Sequence, residues 1–245
     1  VIQSILDFLF PPRCPVCRAY VEQPGDWCPA CMKAAQQPHA ILLPALSQRF
    51  IGAVWALGIY RGGLRSLIHA LKYRKKRSAL PCIASFLQES SFVLPEGVDV
   101  AVPVPLHEAR YRQRGFNQVE LIFGEWLSAH GIAMEQALVR TRKTEPLYKM
   151  ARQERKKSLQ GAFSLASGAD VRGKHILLLD DILTTGATLS AVAPGGPNIA
   201  PMKGTMSTTI SLPTASGCRA ASIMPMVPPM EWPMTAGLFR PCSRM

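Results

Sequence analysis

At 245 residues, with 48% hydrophobic and 18% charged positions, the chain has the balance of a soluble globular protein and room for one α/β core plus a small accessory module. No apolar run approaches the roughly 18 residues of a membrane span. Its 28 Lys+Arg against 16 Asp+Glu give a formal charge of +12, which favours anionic partners such as phosphorylated small molecules or nucleic acid.

Residues 1–10 are apolar, lack a basic start and are interrupted by Asp7, so they predict a short amphipathic helix rather than a secretory signal. The first residue is Val, which suggests a non-ATG start codon or a clipped gene model. Two close cysteine pairs follow, Cys14-x2-Cys17 and Cys28-x2-Cys31. Without a signal peptide such pairs favour metal over disulfides, and hence a cytoplasmic address. Each pair reads Cys-Pro-x-Cys, a turn that can aim both sulfurs at one ion. Four thiolates would fill a structural zinc site and leave no open position for catalysis. Reduced cysteines or two disulfides are the alternative. Residues 1–45 are expected to form this module, with little room for a core.

Residues 46–193 read as an alternating α/β domain. Residues 51–60 are strand-like. Leu64, Leu67, Ile68 and Leu71 recur at helical spacing and predict a helix over 63–73. Residues 78–89 read as helical. Residues 98–104 form an apolar run fit for a buried parallel strand. Phe116, Val119, Phe123 and Trp126 mark another helix, expected to end near Gly131. Residues 175–179 are the cleanest buried strand. Strands alternating with helices argue for a parallel sheet with right-handed crossovers.

That last strand runs into Asp180 and Asp181, then Thr184-Thr185-Gly186-Ala187-Thr188 opens a helix. Open α/β sheets bind ligands at the C-terminal ends of their strands. The free N–H groups and hydroxyls of such a turn can wrap a phosphate at the positive end of the helix dipole. The two acids cannot serve the phosphate, but they suit ribose hydroxyls, which donate to carboxylates. An Asp-rich loop with capping threonines would explain threonines near a helix start. It would not explain two adjacent acids after four aliphatic residues.

Basic residues cluster at 72–77, at Arg110, Arg112 and Arg114, at Arg140, Arg142 and Lys143, and at Arg152, Arg155, Lys156 and Lys157. A solvated face accounts for the first cluster as readily as a binding role. His69 and His107 have no partner visible in the sequence and read as structural.

The 176–188 run resembles the phosphoribosyl-pyrophosphate motif of type I phosphoribosyltransferases. Tyr60–Tyr73, Val102-Pro-Val-Pro-Leu106, Arg114-Gly-Phe-Asn-Gln118 and Gly161-Ala-Phe163 resemble its ComF (GntX-type) branch, which also begins with a Cys-rich zinc module. The likeness spans about residues 5–193. It implies a type I phosphoribosyltransferase-like parallel sheet flanked by helices, with a small N-terminal zinc ribbon. It implies that Asp180 and Asp181 hold the ribose hydroxyls, that Thr184 to Thr188 hold the 5′-phosphate, and that Mg²⁺ accompanies the pyrophosphate. The pyrophosphate loop and the mobile hood of that family fall on Arg112, Arg114, Arg142 and Lys143. The implied activity is Mg-assisted phosphoribosyl transfer to an unidentified acceptor, linked to competence and DNA uptake. A non-catalytic single-stranded-DNA-binding competence protein that keeps a ribose-phosphate pocket is the alternative. A sensor of phosphoribosyl pyrophosphate is a third reading.

Residues 194–245 differ in character. They hold nine of the 21 prolines and seven of the ten methionines, with five charged residues in 52. Pro194-Gly-Gly-Pro197 stops the helix begun at Thr188. This stretch is expected to be out of frame or disordered, leaving the C-terminal part of the core missing.

Overall fold

The computed structural model describes residues 10–41, 51–142, 158–159, 161–183 and 186–192, and the backbone alone of 203–211. All belong to one compact unit, Val1–Pro213; the other, Thr214–Met245, lies outside the described residues. So do residues 1–9, where the N-terminal helix was expected.

In chain order the elements are α1 (Pro29–Ala35), β1 (Gln36–Ala40), β2 (Ile51–Ile59), α2 (Gly62–Arg74), a 3-10 turn (Arg77–Ala79), α3 (Leu80–Gln88) and β3 (Val100–Pro103). There follow α4 (Glu108–Arg114), α5 (Gln118–Ala129), β4 (Leu138–Arg140), β5 (Phe163–Leu165), β6 (His175–Leu179), α6 (Ala187–Val192) and β7 (Lys203–Ser211). Five strands form one sheet in the order β1-β2-β7-β6-β3, and β4 and β5 form a separate antiparallel hairpin. Within the large sheet only β1 runs antiparallel to its neighbour.

The pleat explains the two cores. Leu57, Ala101, Leu177 and Leu179 face one side, where they pack with Leu64, Ile68 and Leu71 of α2, Phe86 of α3, and Phe123 and Trp126 of α5. Val54, Val100, Val102, Ile176 and Leu178 face the other side, with Leu138 and Phe163 of the hairpin and Leu189 of α6. A parallel sheet covered on both faces needs continuous apolar strands, which is why residues 98–104 and 175–179 are the most legible strands in the sequence. The β3–β6 register pairs Val100 with Ile176 and Val102 with Leu178.

Two expectations are corrected. Residues after 193 do take part in the fold: β7 lies between β2 and β6, parallel to both. Lys203-Gly-Thr-Met-Ser-Thr-Thr-Ile-Ser211 is rich in β-branched residues suited to a strand. A composition taken over 52 residues concealed nine. The out-of-frame reading rested on composition and implied an unpaired sheet edge beside β6, whereas that edge is paired by residues 203–211. Proline at Ser207, which is flanked by Val54 and Leu178, removes a backbone donor from a central strand. Ser207→Pro is expected to cost about 1–3 kcal/mol or more, read as a lowered urea midpoint.

The second correction concerns residues 1–45. Trp27, Met32 and Ala35 belong to the same buried cluster as α2, α3 and α5, and β1 continues from α1 into the main sheet. The cysteine-rich segment therefore shares the core of the domain rather than standing apart from it. Gly63 makes the close approach possible, because a Cβ there would collide with the Val16 side chain. Gly58 does the same beneath α1, where a Cβ would lie 2.6 Å from both the Ala35 carbonyl and the Phe86 ring.

Candidate ligand and metal sites

The four sulfurs of Cys14, Cys17, Cys28 and Cys31 lie within 4.8 Å of one another. Tetrahedral zinc–thiolate bonds of about 2.3 Å place sulfurs about 3.8 Å apart, so the donor set fits one structural zinc ion. The two Cys-Pro-x-Cys motifs reach this geometry differently. In the first, the Cys14 N–H donates to Ala19 O at 2.8 Å and Arg18, at φ 66°, donates to Cys14 O, closing a tight hairpin. In the second, Cys28 is the N-cap of α1 and Cys31 lies in its first turn. Burial raises the Cys14 thiol, but backbone donors of Cys28, Cys17 and Val16 outweigh it and bring it down to about 6. Burial, then the neighbouring thiols, push Cys31 up to about 12. Four sulfurs this close cannot all ionise without a cation, which is what a metal supplies. The Trp27 indole N–H donates to Cys82 O at 2.7 Å, and the Gln36 amide donates to Phe86 O at 3.0 Å. Both bonds fasten the module to α3.

The second site lies at the C-terminal end of β6. Asp180 and Asp181 are both buried, and the Asp181 N–H donates to Asp180 Oδ1 at 2.8 Å. Lys72, from the last turn of α2, places its ammonium 2.8 Å from each oxygen of Asp181. Only the contact to Oδ1 is a directed hydrogen bond; Oδ2 has the charge contact alone. Burial, and then the Asp181 charge, hold the Asp180 carboxyl well above the usual carboxylate range, with Lys72 opposing them.

Two arginines lie within electrostatic reach of the pair, Arg114 of Asp181 and Arg140 of Asp180. Burial lowers the pKa of Arg114 and the Asp181 charge raises it. Arg140 stacks on the Phe163 ring at 5.4 Å. Its pKa is drawn down to about 10 by burial first and by Arg110 second, while Asp180 opposes them. Tyr60 also feels Asp181. The motif Arg114-Gly-Phe-Asn-Gln118 is a helix junction that aims Arg114. Gly115, at φ 88°, ends α4, and Asn117 caps α5 by accepting from the Val119 N–H. The Arg114 guanidinium then bonds the buried Gln118 side chain.

Of the cations singled out in the sequence, Arg114 comes within electrostatic reach of Asp181. Arg112 does not: it is 70% exposed and pairs with Glu108 one turn back on its own helix, so α4 turns it away from the acids while turning Arg114 toward them. Arg142 lies exposed just past β4, and Lys143, Thr184 and Thr185 lie outside the described residues. Gly186 is buried at φ 68°, a conformation that favours glycine. It precedes Ala187 and Thr188 at the start of α6. His107 caps α4, its ring nitrogen accepting from the Ala109 N–H at 3.2 Å, and His69 rests on Tyr73; both are structural. Sequence reasoning missed Lys72, because it sits in a basic run whose next five residues are exposed. Helical phase could have found it: Lys72 follows buried Leu71 and lies four residues after buried Ile68. Arg140 and Arg110 were noted only as members of clusters.

Zinc-ribbon thiolates joined to a parallel α/β sheet, with paired acids at the end of a central strand, define the class of protein. A double zinc ribbon domain matches residues 5–41, although the described residues there hold a single four-cysteine group. The DNA utilization protein YhgH of Salmonella typhimurium is 29% identical over 194 residues, covering 74% of this chain and 82% of that one. Competence protein ComFC of Bacillus subtilis is 28% identical over 192 residues, covering 74% and 75%. Competence protein F of Haemophilus influenzae is 32% identical over 104 residues, covering 41% and 43%. The chain is homologous to these DNA utilization and competence proteins. Among solved structures, an adenine phosphoribosyltransferase from Leishmania tarentolae aligns with a TM-score of 0.30 and 15% identity over 71% of this chain and 94% of that one, a likeness too slight to argue from. No helix among the described residues is long and apolar enough to cross a membrane.

Proposed function

We infer that the chain binds phosphoribosyl pyrophosphate at the end of β6 and transfers the phosphoribosyl group to an acceptor with Mg²⁺ assistance. The observation that carries this reading is a buried acid pair with Lys72 ion-paired to Asp181 and with Arg114 and Arg140 within electrostatic reach of it. Paired carboxylates with spare acceptor capacity suit the hydroxyls of a ribose. Guanidinium groups drawn together against their mutual repulsion suit a polyanion. Asp180 and Asp181 would take the hydroxyls, and residues 184–188 the 5′-phosphate. Arg114, with Arg110 and Arg140, would take the pyrophosphate, and Mg²⁺ would neutralise part of its charge. As the acceptor attacks ribose C1, the C1–O bond breaks and pyrophosphate departs. Fixed cations stabilise the developing charge without reorganising, and positioning supplies most of the remaining acceleration. The segment around Arg142 and Lys143 would serve as a cover over the site.

A second reading is favoured by the DNA utilization and competence names of the relatives and by the exposed run Arg74–Arg77. In it the chain binds single-stranded DNA without turnover and keeps the ribose-phosphate pocket for recognition. Pyrophosphate release assayed with a panel of bases and amines separates the two. The enzyme reading expects release above background with at least one acceptor. Steeply salt-dependent binding to single strands with no release would support the second reading and contradict the first.

A further inference from the structure

The four clustered sulfurs differ in access although they share one site. Among the described cysteines Cys17 is exposed, Cys28, Cys31 and Cys82 are partly covered, and Cys14 is buried. The hairpin accounts for the contrast within the first motif. The Cys14 N–H donates to Ala19 O, and the Arg18 N–H donates to Cys14 O, so the turn closes over Cys14 and leaves Cys17 on its outside. Cys17 Sγ lies 3.5 Å from Cys28 Sγ, across from one motif to the other. Cys28 begins α1 and its side chain makes no capping bond to that helix. A disulfide asks the two sulfurs to close to about 2.05 Å, which the exposed and the uncapped side chain can do by turning about their own bonds.

We propose that Cys17 is an oxidation site, at which hydrogen peroxide converts the Cys17–Cys28 pair into a disulfide and empties the zinc site. This stands apart from the ribose-phosphate reading. The Cys17 sulfur attacks the peroxide, the O–O bond breaks, and a sulfenic acid and hydroxide form. The Cys28 thiolate then attacks the sulfenic sulfur, the S–O bond breaks, and a second hydroxide leaves. Two electrons pass from the two sulfurs to the peroxide, and the hydroxides take up protons to become water. Cys14 and Cys31 remain, two thiolates where a structural zinc needs four ligands. The change reaches the main core, because Val16, beside Cys17, abuts Gly63 of α2, and Trp27, beside Cys28, bonds Cys82 O of α3.

The test treats the full chain, purified with its zinc, with about one equivalent of hydrogen peroxide. Released zinc is read with a chromogenic chelator, and the cross-link by peptide mass mapping without reductant. Trypsin cuts after Arg18 and so separates the two motifs unless they are linked. Zinc is expected to fall from about one per chain to almost none, with residues 14–18 joined to residues 19–33 through Cys17 and Cys28. A dithiol with added zinc should reverse both changes. A variant carrying Cys82→Ser, Cys218→Ser and Cys242→Ser keeps all four ligands and should respond as the parent does. A bond within either motif, a bond to Cys82, or zinc retained after the peroxide is consumed, in the parent or in that variant, overturns the proposal. A chain purified without zinc overturns it together with the metal assignment, and leaves the ribose-phosphate reading intact.

Discussion

Cys14→Ser is expected to lose most of its zinc and, with it, the cooperative fold of the whole unit rather than of residues 10–41 alone. The ion is coupled to the main core, because Val16, between Cys14 and Cys17, packs on Gly63 of α2, and Trp27, next to Cys28, bonds Cys82 O and packs near Phe86. Zinc binding to a four-ligand site contributes about 10–16 kcal/mol in small zinc-folded peptides, as large as the net stability of a typical domain, about 5–15 kcal/mol. Losing one thiolate should therefore lower the urea midpoint of the entire transition. Metal analysis of protein purified without chelators should find about one zinc per wild-type chain and far less in the variant. Zinc-free protein with an unchanged urea midpoint would contradict this account.

The acid pair should respond asymmetrically to amide substitution. Asp180 has its folded pKa raised above the unfolded value of about 3.9, burial being the main cause and Asp181 the second. With the folded value raised, the folded state holds a proton that the unfolded state releases. Stability is therefore lost as pH rises from about 4 toward the raised folded value. Asp180→Asn removes that loss, so its melting temperature should exceed that of the parent at pH 7–8 and approach it near pH 4. Asp181→Asn instead takes the partner from a mostly buried ammonium, and breaking such a pair costs up to about 3–5 kcal/mol; its melting temperature should fall. Both substitutions should weaken ligand binding. Equal melting shifts of the same sign, measured by calorimetry across this pH range, would show that the two carboxylates do not occupy distinct environments.

Much of this architecture was legible because its signals are local. Four aliphatics before Asp180 mark a strand buried on both faces, and the Leu64–Ile68–Leu71 spacing marks α2 to within a residue or two of Gly62–Arg74. Cysteine spacing located the metal ligands, since two Cys-Pro-x-Cys turns need only face each other. What escaped was non-local. Strand β7 is polar enough to read as a tail until β2 and β6 flank it. Strand β1 is short and holds a proline, and only its pairing with β2 makes it a strand. In the site, Arg112 and Arg114 are equivalent by composition; the capped ends of α4, at His107 and Gly115, decide which one faces the acids. Lys72 reaches Asp181 across the sheet, a pairing that no single segment encodes.

The central claim is tested most directly by titrating the full chain with phosphoribosyl pyrophosphate in the presence of Mg²⁺, beside the Asp180→Asn/Asp181→Asn double variant. The wild-type protein is predicted to bind saturably at about one ligand per chain, and the double variant at least tenfold more weakly, a loss of about 1.4 kcal/mol or more. Binding that is equally tight in a folded double variant, or absent from the wild type, would contradict the assignment of the β6 terminus as a phosphoribosyl site.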